Sequence, residues 1–428
     1  MKSYISRWID YLLWSVIVII PSAISFFDIQ NLFSPFKFPI LVSFSTIILI
    51  LIIIYRKISW DFVSFCALIW LILALIASIN SYNQELAFIG SFKGFGRYEG
   101  FFSLLSYVIL WFAAKNFLKI NHKRILIWFI GLIPFAIYAL IQYYGHDPLV
   151  KNYGFVPGIF STIGNPNFVG SLALMLVVLS SVLFVSTKKW IYFTFSMLFF
   201  STFVVCQTRS AWLAGALVLV IFLLYQIIRK RNFYFSSFLV CGFVMVCLIL
   251  FSTHRQNSVI LKFKTITNEL DSSNEYGGSG RLKIWSITQK IILANPYLGV
   301  GPENLRLAIK TEQPKLENEY YRRKGTRIDK AHNEYLHMAA ICGIPALFSY
   351  LLLLGMSFTA SLKSKLNSIL SMSIFLMVLA YVIQAFFNIS VIAVAPVFWI
   401  FLGGLAGNRF ESKILVEEDK EENQTEVV

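Results

Sequence analysis

The sequence predicts an all-α polytopic membrane protein of about 12 transmembrane helices with one large extracytoplasmic loop. Three observations carry that prediction. The first is composition: 57% of the 428 residues are hydrophobic and 17% aromatic, while 14% are charged, against about 25% charged in an ordinary soluble chain. Mean hydropathy is +0.69. Forty-one Phe, 20 Tyr and 10 Trp exceed what one soluble core hides, which excludes a soluble globular enzyme, a disordered regulator and a fibrous protein. The second is run length. Each apolar run suits a helix across a hydrocarbon core of about 30 Å, and none shows the roughly ten-residue alternating segments of an outer-membrane barrel. The third is the placing of Lys and Arg, which alternates from loop to loop.

The apolar segments run over 9–27, 36–55, 60–80, 101–119, 124–144, 163–186, 190–206, 211–228, 233–251, 339–358, 368–388 and 390–407. Charge, Gly, Pro or Asn fills the gaps, as helix ends in water require. Only Asn388 and Ser390 break the last two segments, so a re-entrant hairpin is the alternative there. With the N-terminus inside, the inside segments hold 18 Lys and Arg. The short outside segments hold five: Lys37, Lys93, Arg97, Lys151 and Arg209. The positive-inside rule then puts both termini in the cytoplasm. Lys2 and Arg7 precede the first run and no small-residue cleavage site follows, so an uncleaved first span is expected. The chain divides into a bundle of about nine spans (1–251), a polar outside loop (252–334), spans 10–12 (335–408) and an acidic cytoplasmic tail (409–428). Within the loop, Leu282, Trp285, Ile287, Ile291 and Ile292 space like one helical face.

The net charge of +15 suits basic residues flanking spans, not nucleic acid, because the clusters are two or three residues long. Cys66, Cys206, Cys241, Cys247 and Cys342 all fall in or beside apolar runs, so neither a disulfide framework nor a metal site is expected. No cofactor is expected.

The outside face carries the candidate chemistry. Arg209 sits in a loop of about four residues at the membrane boundary, where an ionisable group is paired, functional or snorkelling. Arg281 follows a Gly-Gly-Ser-Gly run and offers a forked donor to phosphate oxygens. His332 and His337 are five residues apart, about 140° on a helix, which does not make a zinc pair. A single His at the membrane surface suits a general base. Gly299-Val300-Gly301 does not complete a dinucleotide-binding motif.

Together these positions resemble the bacterial O-antigen ligase family. The resemblance rests on Gly164-Asn165-Pro166-Asn167, Gln207 to Trp212 around Arg209, Arg281 to Trp285, Asn295 to Gly301, His332 to Leu336, and Gly343-Ile344-Pro345. It covers roughly residues 90–360. It implies a metal-independent, glycosyltransferase-C-like membrane enzyme in the bacterial inner membrane, with the 252–334 loop as its catalytic part on the periplasmic face. The donor would be a glycan on undecaprenyl pyrophosphate. The acceptor would be lipid A–core, another surface glycan or a protein hydroxyl. Carried over by motif, His332 is the catalytic base, and Arg209 and Arg281 bind the donor pyrophosphate. Arg97, Lys93, Trp285, Asn333 and His337 are further donor or glycan contacts, and Tyr276, Tyr320 and Tyr321 are candidates for stacking on sugars. An O-antigen or polysaccharide polymerase and a protein O-oligosaccharyltransferase share these motifs. A lipid-linked glycan flippase and a non-catalytic scaffold are the readings of a different class.

Overall fold

The computed structural model describes residues 2–24, 34–56, 58–90, 97–149, 158–228, 233–253, 280–363 and 368–410. Lys93, Lys151, Tyr276, the Gly-Gly-Ser run before Gly280 and the acidic tail lie outside them. The described residues form helices: α1 (Lys2–Ser22), α2 (Ser34–Tyr55), α3 (Phe62–Ile79), α4 (Gln84–Ile89), α5 (Phe101–Phe117), α6 (His122–Gly131), α7 (Ile133–Tyr143), α8 (Pro166–Thr187), α9 (Trp190–Val205), α10 (Arg209–Ile228), α11 (Tyr234–Thr253), α12 (Arg281–Ala294), α13 (Leu305–Glu312), α14 (Pro314–Lys324), α15 (Glu334–Cys342), α16 (Ile344–Lys363), α17 (Ile369–Ala385) and α18 (Ala395–Ala406).

Eight stretches are long and apolar enough to cross a membrane: α1, α2, α3, α6 with α7, α8, α10, α11 and α16. Four shorter apolar helices, α5, α9, α17 and α18, coincide with the remaining predicted segments. Asn begins several elements. The side chains of Asn83, Asn121, Asn165 and Asn333 accept backbone N–H groups in the first turns of α4, α6, α8 and α15, satisfying donors that a helix start leaves open.

The bundle is built around α8, of which 94% is buried inside the protein, against 17% for α11. Both helices are apolar all round; α8 takes the centre, while most of α11 is left uncovered by the rest of the protein, as suits a helix against lipid. Between helices in a bilayer, close backbone approach replaces the hydrophobic effect as the adhesive. Gly407 lies at the end of α18, where a Cβ would stand 2.0 Å from the Lys115 carbonyl of α5. Beyond it, Ile120 donates its N–H to the Arg409 carbonyl at 2.9 Å, and Arg409 Nε bonds the Lys115 carbonyl at 2.6 Å. So α18 ends on the Lys115 side of the bundle, while α17 ends on the opposite, His332 side. Residues 386–394 join them as largely non-helical backbone, buried over 388–389 and 391–394. That backbone is tolerated at depth because protein covers it.

Residues 281–324, in the second half of the predicted loop, are largely helical. Residues of α12, α13 and α14 join the same apolar core as the bundle, among them Ile287, Leu305 and Tyr320. The buried face of α12 is Ile284, Ile287, Thr288, Ile291 and Ile292. Leu282, expected on that face, is instead exposed, and Ile284 takes its place. Lys37, at the start of α2, is fully buried. Its ammonium donates to the carbonyls of Ile20 at 2.9 Å, Pro21 at 3.2 Å and Thr162 at 2.9 Å. It thereby pins the end of α1 to the turn that leads into α8.

Candidate active site

The first turn of α8 is the hub of the His332 side. Thr208 Oγ1, one residue before Arg209, donates to the Pro166 carbonyl at 2.8 Å. Asn388, just past α17, donates to the Asn167 carbonyl at 3.3 Å and shares a 2.9 Å bond with Ser171 Oγ. The guanidinium of Arg97 lies over the Phe168 ring, 5.7 Å from its centroid, and pairs with Asp329 at 3.4 Å. One helical turn therefore gathers the loops that carry Arg97, Arg209 and the segment before His332.

The segment 331–337 is tied down residue by residue. Trp285 Nε1, on α12, donates to the Ala331 carbonyl at 3.0 Å, and its ring packs on Phe386 and Phe387 beyond α17. Asn333 Oδ1 accepts from Leu336 N at 3.0 Å, which starts α15. The Glu334 carboxyl accepts from Tyr350 Oη at 2.7 Å and Tyr381 Oη at 3.2 Å. Tyr335 Oη donates to the Val382 carbonyl at 2.6 Å. The run Asn295 to Gly301 backs the other end of α15: Val300 N and Gly301 N bond the Ala340 and Ile341 carbonyls, and Ile344 N bonds the Pro296 carbonyl. These bonds satisfy the carbonyls that a helix end leaves open. Gly343, at φ 87°, is needed because a Cβ there would meet the Tyr297 carbonyl oxygen at 2.1 Å.

His332 itself is half-buried, and among the described residues its imidazole has no hydrogen-bond partner. Its backbone is left-handed, at φ 50°. Burial lowers its pKa to about 4; Asp329 pulls the other way, while Arg97, Arg281 and Lys330 add to the lowering. The imidazole is therefore neutral at pH 7 and free to accept a proton. Asp329 is itself partly desolvated, yet Arg97, with His332 and Lys330, holds its carboxyl below the ordinary value.

Beside this pair lies a buried ion network. Lys330 Nζ bonds Glu99 Oε2 at 3.2 Å and also pairs with Glu303 Oε1. Burial pushes Glu99 up to about 7 against the pull of Lys330. Burial alone lowers a lysine, but Glu303 and Glu99 together raise Lys330. Glu334, deeper still, is raised to about 7 by burial despite its two tyrosine donors. Tyr98 and Glu303 share the left-handed backbone of His332, at φ 53° and 58°. Such conformations cost about 1–3 kcal/mol each in non-glycine residues and persist where the surroundings impose them.

Several polar atoms here stay open. Arg97 Nη1, Glu99 Oε1 and His337 Nδ1 are buried without a hydrogen-bond partner among the described residues. A buried polar atom of that kind marks a place for water or ligand. Among those residues no cluster of three His, Cys, Asp or Glu side chains is placed to hold a metal.

Of the residues singled out from sequence, Arg97 and Arg281 both lie within electrostatic reach of His332, and Arg209 adjoins them through Thr208 and α8. Trp285 and Asn333 shape the backbone around His332, and His337 is buried beneath it. Tyr320 is buried under Gly280, a packing position. Tyr321 is exposed, with the Arg327 guanidinium 4.8 Å from its ring centroid. Sequence reasoning missed Glu99, Glu303, Asp329, Lys330 and Glu334.

Residues 194–351 match the family described as O-antigen ligase. That stretch runs from α9 into α16 and takes in Arg209, Arg281 and His332. No curated protein matches the chain.

Proposed function

We propose, with that family match as the premise, that this protein is a metal-independent membrane glycosyltransferase that moves a glycan from undecaprenyl pyrophosphate to an acceptor hydroxyl. Lipid A–core or another surface glycan is the acceptor that the ligase reading favours. The observation that carries this reading is His332: among the described residues its imidazole has no hydrogen-bond partner, and Asp329, Arg97, Arg281 and Lys330 all act on it electrostatically.

In this reading the acceptor hydroxyl gives its proton to His332 while its oxygen forms a bond to the sugar's anomeric carbon. The bond from that carbon to the pyrophosphate oxygen breaks, and the electron pair leaves with undecaprenyl pyrophosphate. Fixed guanidinium donors stabilise the charge that develops on the leaving group. Arg281 and Arg209 are assigned that role, and Arg97, with its open Nη1, is the third candidate. A base whose pKa is about 4 is a weak one. An arriving pyrophosphate offsets the cations around it and raises that pKa toward neutrality, so the donor itself strengthens the base. The lipid tail stays among helices, as a glycosyltransferase-C-like bundle allows. The site faces the periplasm, with both termini in the cytoplasm.

The test is a transfer assay with purified protein, undecaprenyl-pyrophosphate glycan and candidate acceptors, in EDTA. His332→Ala is expected to lower transfer by about 100- to 10,000-fold while donor binding and membrane insertion persist. The accepting substrate separates ligase from polymerase and from protein O-oligosaccharyltransferase. Transfer at the wild-type rate in His332→Ala overturns the assignment. Donor binding without any transfer by the wild type moves weight to a flippase.

A further inference from the structure

We propose that Lys330 is a positioning residue for His332: with Glu99 and Glu303 it locks three loops from three parts of the fold around the imidazole. The inference rests on His332 being the base. The three loops are residues 97–100 before α5, 301–304 before α13 and 327–333 before α15. Among the described residues, the ion pairs that join them are those of this amine and the Arg97–Asp329 pair. Lys330 is 4% exposed, Glu303 6% and Glu99 11%, so the three charges are shielded from solvent and screened little by salt.

Each loop also holds one non-glycine residue in the left-handed region: Tyr98 beside Glu99, Glu303 itself, and His332 two residues beyond Lys330. Backbone in that state relaxes unless something holds it. Without Lys330 no cation joins the two buried carboxyls; Glu99, already raised to about 7 by burial, takes up a proton, and the ionic tie between the 97–100 and 301–304 loops is lost. Arg97 moves with the first loop and Asp329 loses its partner, so the turn that sets His332 is released from two sides. Lys330 touches no reacting atom; its effect runs through the pose of the imidazole.

The charged and titratable groups that face His332 are Arg97 from the loop before α5, Arg281 from α12, His337 from α15, and Asp329 and Lys330 from its own segment. Loss of Lys330 therefore removes one of three cations that hold the imidazole neutral, and its pKa rises.

The variants are Lys330→Met, which keeps the stem, and Lys330→Arg, which keeps the charge, both in the purified full chain. Expected in Lys330→Met is a fall in kcat of about 10- to 100-fold with little change in KM. The acid limb of kcat/KM moves to higher pH, and Lys330→Arg recovers most of the rate. A second readout needs no glycan: the rate at which diethyl pyrocarbonate modifies His332 at pH 7, followed by mass spectrometry. That rate changes in Lys330→Met and returns in Lys330→Arg. If the wild type transfers nothing but the modification rate behaves in this way, the clamp stands and the transferase reading falls. Wild-type kcat together with an unchanged modification rate in Lys330→Met overturns the clamp. Where Lys330→Met does not insert, Glu303→Gln removes one carboxylate at constant volume, and wild-type values of both readouts in that variant overturn it equally.

Discussion

Both ends of the bundle carry buried charge, and they use it differently. On the Lys115 side, Asp10 pairs with Arg124 and accepts from the Lys119 N–H. Asp61 pairs with Lys115 at 2.8 Å, and Lys115 also bonds Ser64 Oγ. The left-handed residues there, Arg56, Lys188 and Asn408, simply follow the ends of α2, α8 and α18, where such a conformation closes a helix. On the His332 side three of the left-handed residues, Tyr98, Glu303 and His332, sit in or beside an ion network, and Arg97, Glu99 and His337 each keep a buried atom open. One end is largely paired, with Gln226 Nε2 left open near it, and seals the bundle. The other holds strain and spare hydrogen-bonding capacity, as a site awaiting a ligand does.

Changes at the open end should cost rate before stability. The largest expected effect in this comparison is Arg281→Ala or Arg209→Ala: transfer falls by about 100- to 1000-fold and the donor binds more weakly, with thermal unfolding close to wild type. Donor affinity and transfer both unchanged would remove these arginines from the pyrophosphate site.

A smaller effect is in pH. In the role proposed for it His332 is neutral, and in the free site its pKa is about 4, below the ordinary 6.5. Activity is thus retained as pH falls through 6 and is lost near pH 4 in the kcat/KM profile. The kcat profile reports the donor-bound site, where a nearby pyrophosphate favours the imidazolium, so its acid limb lies at higher pH. Acid limbs that coincide near 6.5 in both profiles would break the link between donor charge and base strength.

The smallest expected effect on rate is at the sealed end. Asp10→Asn leaves Arg124 without its ion-pair partner and should cost about 3 kcal/mol of stability, read as a lower unfolding temperature in detergent. The kcat of the folded fraction should not change. A drop in kcat there would mean that the two ends are coupled.

The contrast also explains what the sequence reveals. Apolar segments were readable because a bilayer fixes both length and composition; eight helical stretches are long and apolar enough to span, and the other four predicted segments overlap shorter apolar helices. Arg97, Arg281 and His332 stood out because charge is rare in this chain and each lies beside a recognisable turn. Glu99, Glu303 and Lys330 were also in view, next to the same motifs. Their significance is a tertiary contact among stretches about 200 and 30 residues apart, which no local spacing encodes. The Asn295 to Gly301 run was visible as a motif, but its work of closing α15 depends on where α15 comes to rest.

The lysine at the start of α2 bears on how the chain is made. Two of the three carbonyls around Lys37 belong to residues 20 and 21, and the third to residue 162. When the first helical hairpin enters the membrane, residue 162 has not yet been synthesised. The Lys37 ammonium is then short of one of its acceptors and is held at headgroup level by its hydration. Complete burial of α2 therefore waits on the arrival of the turn before α8. The early spans are kept provisional until the central helix is delivered, so the order of synthesis and the order of final packing differ.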